Sequence, residues 1–193
     1  MKLSKTLLAL TATLGLSTAA HSAVIVDATI VGNDVVFEGS GTLNTNGLSL
    51  SPFSPVPNAA SVAPLFSELS IGPSGAQPWD NYGGIFSGPT NFGPGNPTPM
   101  DSGSGDRVII SPLGGLLGVP VGYVSGAALN STSIINGATF DTLGMSRGQY
   151  VWTWGSGANA DSFTLNVIPA PLPLALLATG GLIGLGLRKK LKA

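Results

Sequence analysis

The chemistry open to this chain rests on carboxylates. Its nine acids are Asp27, Asp34, Glu38, Glu68, Asp80, Asp101, Asp106, Asp141 and Asp161, all between residues 24 and 168. Asp101 and Asp106 flank a Ser-Gly-Ser-Gly tetrapeptide, and Asp161 follows Gly-Ser-Gly-Ala-Asn-Ala. Two suitably spaced acids are what glycoside hydrolysis needs, but no pair has a distinctive setting, and Asp among Gly and Ser is ordinary turn chemistry. The same oxygens suit a hard cation. Asp101, Asp106, Asn159 and Asp161 are the candidate calcium ligands, without EF-hand spacing. Other chemistries lack their parts: there is no cysteine, the single histidine is His21, and no lysine occurs between residues 24 and 187. Histidine general bases, zinc sites and lysine or thiol nucleophiles are therefore missing from the middle of the chain. No glycine cluster is followed by the Lys-Ser/Thr of a phosphate loop, and no strand–GxGxxG–helix unit is present. The expectation is a protein that is not an enzyme and has no cofactor, calcium being the one metal its donors suit.

Ring stacking on sugars is the remaining site chemistry. Trp79, Asp80, Asn81 and Tyr82 occur together in QPWDNYGG, a predicted loop that combines two aromatic rings with hydrogen-bonding groups. This is the better-placed candidate ligand site, but local packing of the rings is the leading reading. Tyr150, Trp152 and Trp154 recur at every second residue, as on one face of a strand. Trp152 and Trp154 are read as core.

The elements that must position these residues are strands. AVIVDATIVGNDVVFEGSGTL reads as two strands around a Gly32-Asn33 turn. QYVWTWGSGANADSFTLNV reads as a hairpin whose apolar faces, Trp152 and Trp154 on one arm and Phe163, Leu165 and Val167 on the other, lie on the same side. Ten of the fifteen prolines fall between residues 52 and 99, so 51–105 is predicted to be rich in long surface loops with a few short edge strands. No stretch of the body shows a convincing helical period. The predicted class is all-β, an antiparallel β-sandwich or jelly roll with long Pro/Gly-rich loops.

Charge divides the chain further. Between residues 24 and 187 only Arg107 and Arg147 oppose the nine acids, a net charge of −7. Such a body has no electrostatic footprint for nucleic acid. The remaining cations lie at the ends. Lys2 and Lys5 precede an apolar run over 7–16 and a small-residue run ending at Ala23, the three parts of a secretory signal. Cleavage is placed after Ala23, with Ala20 and Ser22 as alternatives. At the other end, 172–187 is a predicted helix of 16 residues, about 24 Å long against a hydrocarbon core of about 30 Å. Arg188, Lys189, Lys190 and Lys192 follow it, and positive residues stay on the cytoplasmic side, which places the body outside. A buried core helix is the alternative for 172–187.

The C-terminal stretch IPAPLPLALLATGGLIGLGLRKKLKA resembles the PEP-CTERM class of bacterial sorting signals, and most closely its VPLPA-CTERM variant. Pro169, Pro171, Leu172 and Pro173 stand where that motif lies, ahead of an apolar span and a basic terminus. The Pro-Glu-Pro form is absent. Gly180-Gly181 falls inside the span, unlike the glycine pair of signals read by rhomboid-type proteases. Body segments such as DVVFEGSGTLN and GQYVWTWGSGANADSFTLNV are also similar to segments of PEP-CTERM proteins. The resemblance implies a partner, a membrane-embedded exosortase-type transpeptidase, and transient membrane residence through the C-terminal helix. The expected organisation is therefore a signal peptide over 1–23, an exported β domain over 24–168 and a sorting tail over 169–193. Export is expected to proceed through an inner-membrane intermediate to the cell surface or the extracellular space. The expected role is structural or adhesive in surface or exopolysaccharide material, with a carbohydrate-binding, lectin-like module as the alternative.

Overall fold

A computed structural model describes residues 23–52 and 55–168. The signal segment up to Ser22 and the sorting tail from Pro169 onward, including the predicted helix over 172–187, lie outside the described residues. The described chain is all-β, with thirteen strands in two antiparallel-rich sheets.

The first sheet has six strands in the order β12-β13-β1-β2-β11-β8. Its centre is the predicted hairpin of β1 (Ala23–Val31) and β2 (Asp34–Thr42), paired from Val31↔Asp34 back to Val24↔Gly41. The alternation of residue types makes it two-faced. Val24, Val26, Ala28, Val35 and Phe37 are buried, while Ile25, Asp27, Glu38 and Ser40 point the other way. β11 (Ala128–Ile135) runs antiparallel to β2, and β8 (Ser102–Gly105) closes that edge. On the other flank β12 (Gly148–Trp154) and β13 (Asp161–Val167) form the second predicted hairpin, with Trp152 opposite Phe163. β13 pairs with β1 in parallel, which sets the first and last described strands side by side.

The second sheet has seven short strands: β3 (Ser49–Leu50), β4 (Ser61–Ala63), β5 (Glu68–Ile71), β6 (Asp80–Gly83), β7 (Thr98–Pro99), β9 (Val108–Ser111) and β10 (Leu116–Val119). Their order is β3-β6-β10-β9-β5-β4-β7. The proline-rich segment is thus more regular than its composition suggests. It supplies four strands of this sheet, and β4, β5 and β6 hold interior positions. Proline limits each run to a few residues but does not prevent pairing from the flanking strands.

The middle of this sheet is a repeated device that the sequence analysis did not pick out. Residues 62–71 (VAPLFSELSI) and 110–119 (ISPLGGLLGV) each fold as strand, Pro-Leu 3₁₀ turn, strand. Each turn ends on a left-handed residue, Ser67 at φ 56° and Gly115 at φ 63°. β5 and β9 pair antiparallel, so both turns come to the same end of the sheet, where Ser111 Oγ donates to Glu68 Oε2 at 3.0 Å.

Buried side chains of the two sheets form one hydrophobic cluster. Val26, Phe37, Trp152 and Phe163 contribute from the first sheet, and Leu69, Ile71, Ile110 and Leu117 from the second. Trp152 is fully buried and Trp154 is 3 % exposed, as the period-two reading expected. Trp152 meets Phe92 edge-on, with ring centroids 6.2 Å apart, and its indole Nε1 donates to Pro89 O at 2.8 Å.

Candidate functional site

The outer faces of the two sheets differ, and that difference locates the site. On the second sheet Leu69, Ile110 and Leu117 point into the core. Their neighbours Ser70, Ile109 and Gly118 therefore point outward. That outward face is covered by the chain itself. Trp79 is 6 % exposed and lies over Gly118, where a Cβ would come within 2.7 Å of Trp79 Cε3. Arg107, 3 % exposed, holds the cover in place. Its Nη1 donates to Ser70 Oγ at 2.9 Å, and its Nη2 donates to Pro73 O and to Gly75 O, the latter at 2.8 Å. Burial pushes the Arg107 guanidinium below its ordinary range. Trp79 Nε1, Asn81 Oδ1 and Arg107 Nε are buried without a hydrogen-bond partner among the described residues.

Among the described residues, the first sheet has no such cover. Its outer face holds a groove of about 580 Å³ across β1, β2, β11 and β8. The register explains its lining. Asn166 pairs with Asp27, Asp27 with Glu38, Glu38 with Thr132, and Thr132 with Ser104. Gln149 pairs with Asn166 on the far strand. One transverse row thus presents a polar side chain from each of the six strands. Part of it is wired together: Gln149 Nε2 donates to Asn166 Oδ1 at 3.1 Å, and Asn166 Nδ2 donates to Asp27 Oδ1 at 2.8 Å. A second row beside it contains Ile25, Ser40 and Asn130, and Ile25 is 47 % exposed.

The nine carboxylates sort accordingly. Asp101 Oδ2 accepts from Asn136 N and Asp106 Oδ2 from Asn130 N, both at 2.8 Å. These two acids bracket β8 and fasten its ends to β11. Asp80 Oδ2 takes Gly122 N at 2.7 Å, and Asp34 Oδ1 takes Gly137 N at 2.9 Å. Asp161, 4 % exposed, takes the backbone N–H groups of Asn44 and Ser162. Glu68 accepts from Ser111 Oγ, and Asp141 pairs with Arg147 at 3.4 Å. Asp27 is held by Asn166. Glu38 alone has no partner among the described residues.

The residues singled out from sequence fall at separate places. Asp101 and Asp106 stand at opposite ends of one strand, Asp161 begins β13, and Asn159 closes a 3₁₀ turn over Gly157–Asn159. Among the described residues no group of three or more His, Asp or Glu side chains is placed to share a metal ion. Asp80, Asn81 and Tyr82 fall in strand β6 rather than in a loop, and Trp79 immediately precedes it. Trp79 belongs to the cover of the second sheet, and Tyr82 is half-buried against the core. Ala23 opens β1, paired with Ser162. Pro169, Pro171, Leu172, Pro173, Arg188, Lys189, Lys190 and Lys192 lie outside the described residues. Asp27 and Glu38 are site residues not singled out from the sequence. Their signal was present, since both fall on the polar face of an alternating hairpin. No helix among the described residues is long and apolar enough to cross a membrane. No protein-family model matches the chain, and no curated protein or solved structure matches it.

Proposed function

We propose that the chain is an exported, processed surface protein, a two-sheet β-sandwich without a catalytic centre. In this reading it serves a structural or adhesive role in cell-surface or extracellular polysaccharide material. The supporting observation is that the chain between the two cationic, apolar ends folds as two sheets around one buried cluster. Eight of the nine acids already have partners inside this span. A signal peptidase removes the front end, and an exosortase-type transpeptidase acts at Pro169, Pro171, Leu172 and Pro173 while the tail is held in the membrane. A cut after Ser22 or Ala20 keeps the Ala23–Ser162 pair, whereas a cut after Ala23 gives it up. Mass spectrometry of the protein from the cell surface and the medium tests this reading. The expected product has lost both ends. Recovery of Lys192 and Ala193 on the extracellular protein overturns it.

A second reading is a carbohydrate-binding module, and the open groove favours it. The groove offers hydroxyl, amide and carboxylate groups on a rigid sheet, the group types that hydrogen-bond sugar hydroxyls.

A further inference from the structure

We propose that the groove on the first sheet binds a polysaccharide strand carrying free amino groups. This rests on the carbohydrate-binding reading and names its site and ligand class.

Spacing is the first argument. The row Gln149, Asn166, Asp27, Glu38, Thr132 and Ser104 places one polar side chain on each strand. Neighbouring strands lie about 4.8 Å apart, comparable to the length of one pyranose unit. A glycan laid across the strands meets a new hydrogen-bonding group with each successive sugar. In the adjoining row the exposed Ile25 supplies apolar surface for the C–H face of a ring.

Charge is the second argument. Asp27 and Glu38 stand directly opposite one another, an unfavourable placement for two like charges. No lysine or arginine among the described residues lines the groove. The two cations among the described residues are committed elsewhere, Arg107 under the cover of the second sheet and Arg147 on Asp141. An ammonium group between Asp27 and Glu38 turns the repulsion into charge-assisted hydrogen bonds and gives Glu38 the partner it lacks. A uronic-acid chain would add a further negative charge there.

The test is calorimetric titration of the full chain in mild detergent. Four probes are used: a β-1,4-linked glucosamine hexamer, its N-acetylated counterpart, a galacturonic acid hexamer and hexalysine. The glucosamine hexamer is expected to bind, the acetylated one at least tenfold more weakly, and the uronate not at all. The double variant Asp27→Asn with Glu38→Gln should bind the glucosamine hexamer at least tenfold more weakly. Asp141→Asn, which also removes a negative charge, should leave binding unchanged. Circular dichroism checks that each variant is folded. Equal binding by the parent and the double variant overturns the groove as the site while leaving the carbohydrate reading intact. Preference for the uronate overturns the charge argument. Hexalysine binding as tightly, with the same dependence on Asp27 and Glu38, shows a site for cationic peptide and overturns the glycan. Binding of none of the three glycans removes the carbohydrate reading itself.

Discussion

The two sheets treat their outer faces in opposite ways. The second sheet, assembled from strands of two to four residues, is backed by residues 73–79 and by an arginine that has no carboxylate. The first sheet, with β1, β2 and β11 eight or nine residues long, has an outer face that is polar and left open by the described residues. Strand length accounts for part of the contrast. Short strands bury little surface on one side alone, so a second apolar layer on the back adds needed burial. Long strands with clean alternation form their share of the core from one face, which leaves the other free for binding. The covered face is the less satisfied one, since the three buried unpaired polar atoms found among the described residues all lie there.

Truncation at the cover gives the largest expected effect. Trp79→Ala should destabilise the fold by about 3 kcal/mol, at the low end for an aromatic deleted from a packed site. Thr132→Ala on the open face should stay within about 0.5 kcal/mol of the parent. Urea unfolding of the two variants measures the contrast, and equal losses would mean that the faces do not differ as described. Trp79→Phe sharpens the point. It keeps most of the ring and removes the unpaired Nε1, so its loss should be well below that of Trp79→Ala.

Much of this was legible beforehand, and the misses have a common cause. The Gly32-Asn33 turn fixes a local register, and counting back from it sets Asp27 against Glu38 on the polar side of the hairpin. Trp152 and Trp154 were recognisable as core because two alternating strands joined by a short loop must put their apolar faces together. Trp79 was not. Its fate depends on Gly118 in a strand far along the chain, and no local pattern announces a glycine that receives an indole. Thr132 and Ser104 join the groove, and Asn166 the row beside Asp27, only through non-local pairing, one pair of it parallel, which composition does not reveal. Prolines marked where strands stop, but not that stretches as short as SVA and ELSI would be held between partners on both sides. Asp101, Asp106 and Asp161 drew attention as loop acids, and loop acids are also the natural acceptors for exposed backbone N–H groups.

A smaller effect tests the fit of the cover to the sheet. Gly118→Ala places a methyl within 2.7 Å of Trp79 and 2.9 Å of Ile109 Cβ. The backbone there is not left-handed, so the penalty is steric. A loss of about 1–3 kcal/mol is expected, typical of overpacking. Combining Gly118→Ala with Trp79→Ala should cost less than the sum, because the clash with the indole disappears and only the one with Ile109 remains. Additive losses in denaturant would separate the two residues and dissolve the cover as a unit.

The smallest expected effect carries the most information about the open face. Glu38 is exposed, has no partner among the described residues and stands opposite Asp27. Nothing in the fold depends on its charge. Glu38→Gln keeps the shape and ends the repulsion, so stability should rise by a few tenths of a kcal/mol, the scale of a like-charge cross-strand pair. Added salt should shrink the gain, because exposed charges are screened. A residue fastening the sheet would behave in the opposite way, with Gln costing stability and salt leaving the loss in place. A carboxylate that slightly weakens its own fold, on a face left uncovered while the other sheet's is closed, is consistent with one kept for a partner outside the chain. Urea unfolding of Glu38→Gln at low and high salt decides between the two behaviours, and a loss above about 1 kcal/mol would assign Glu38 to the scaffold.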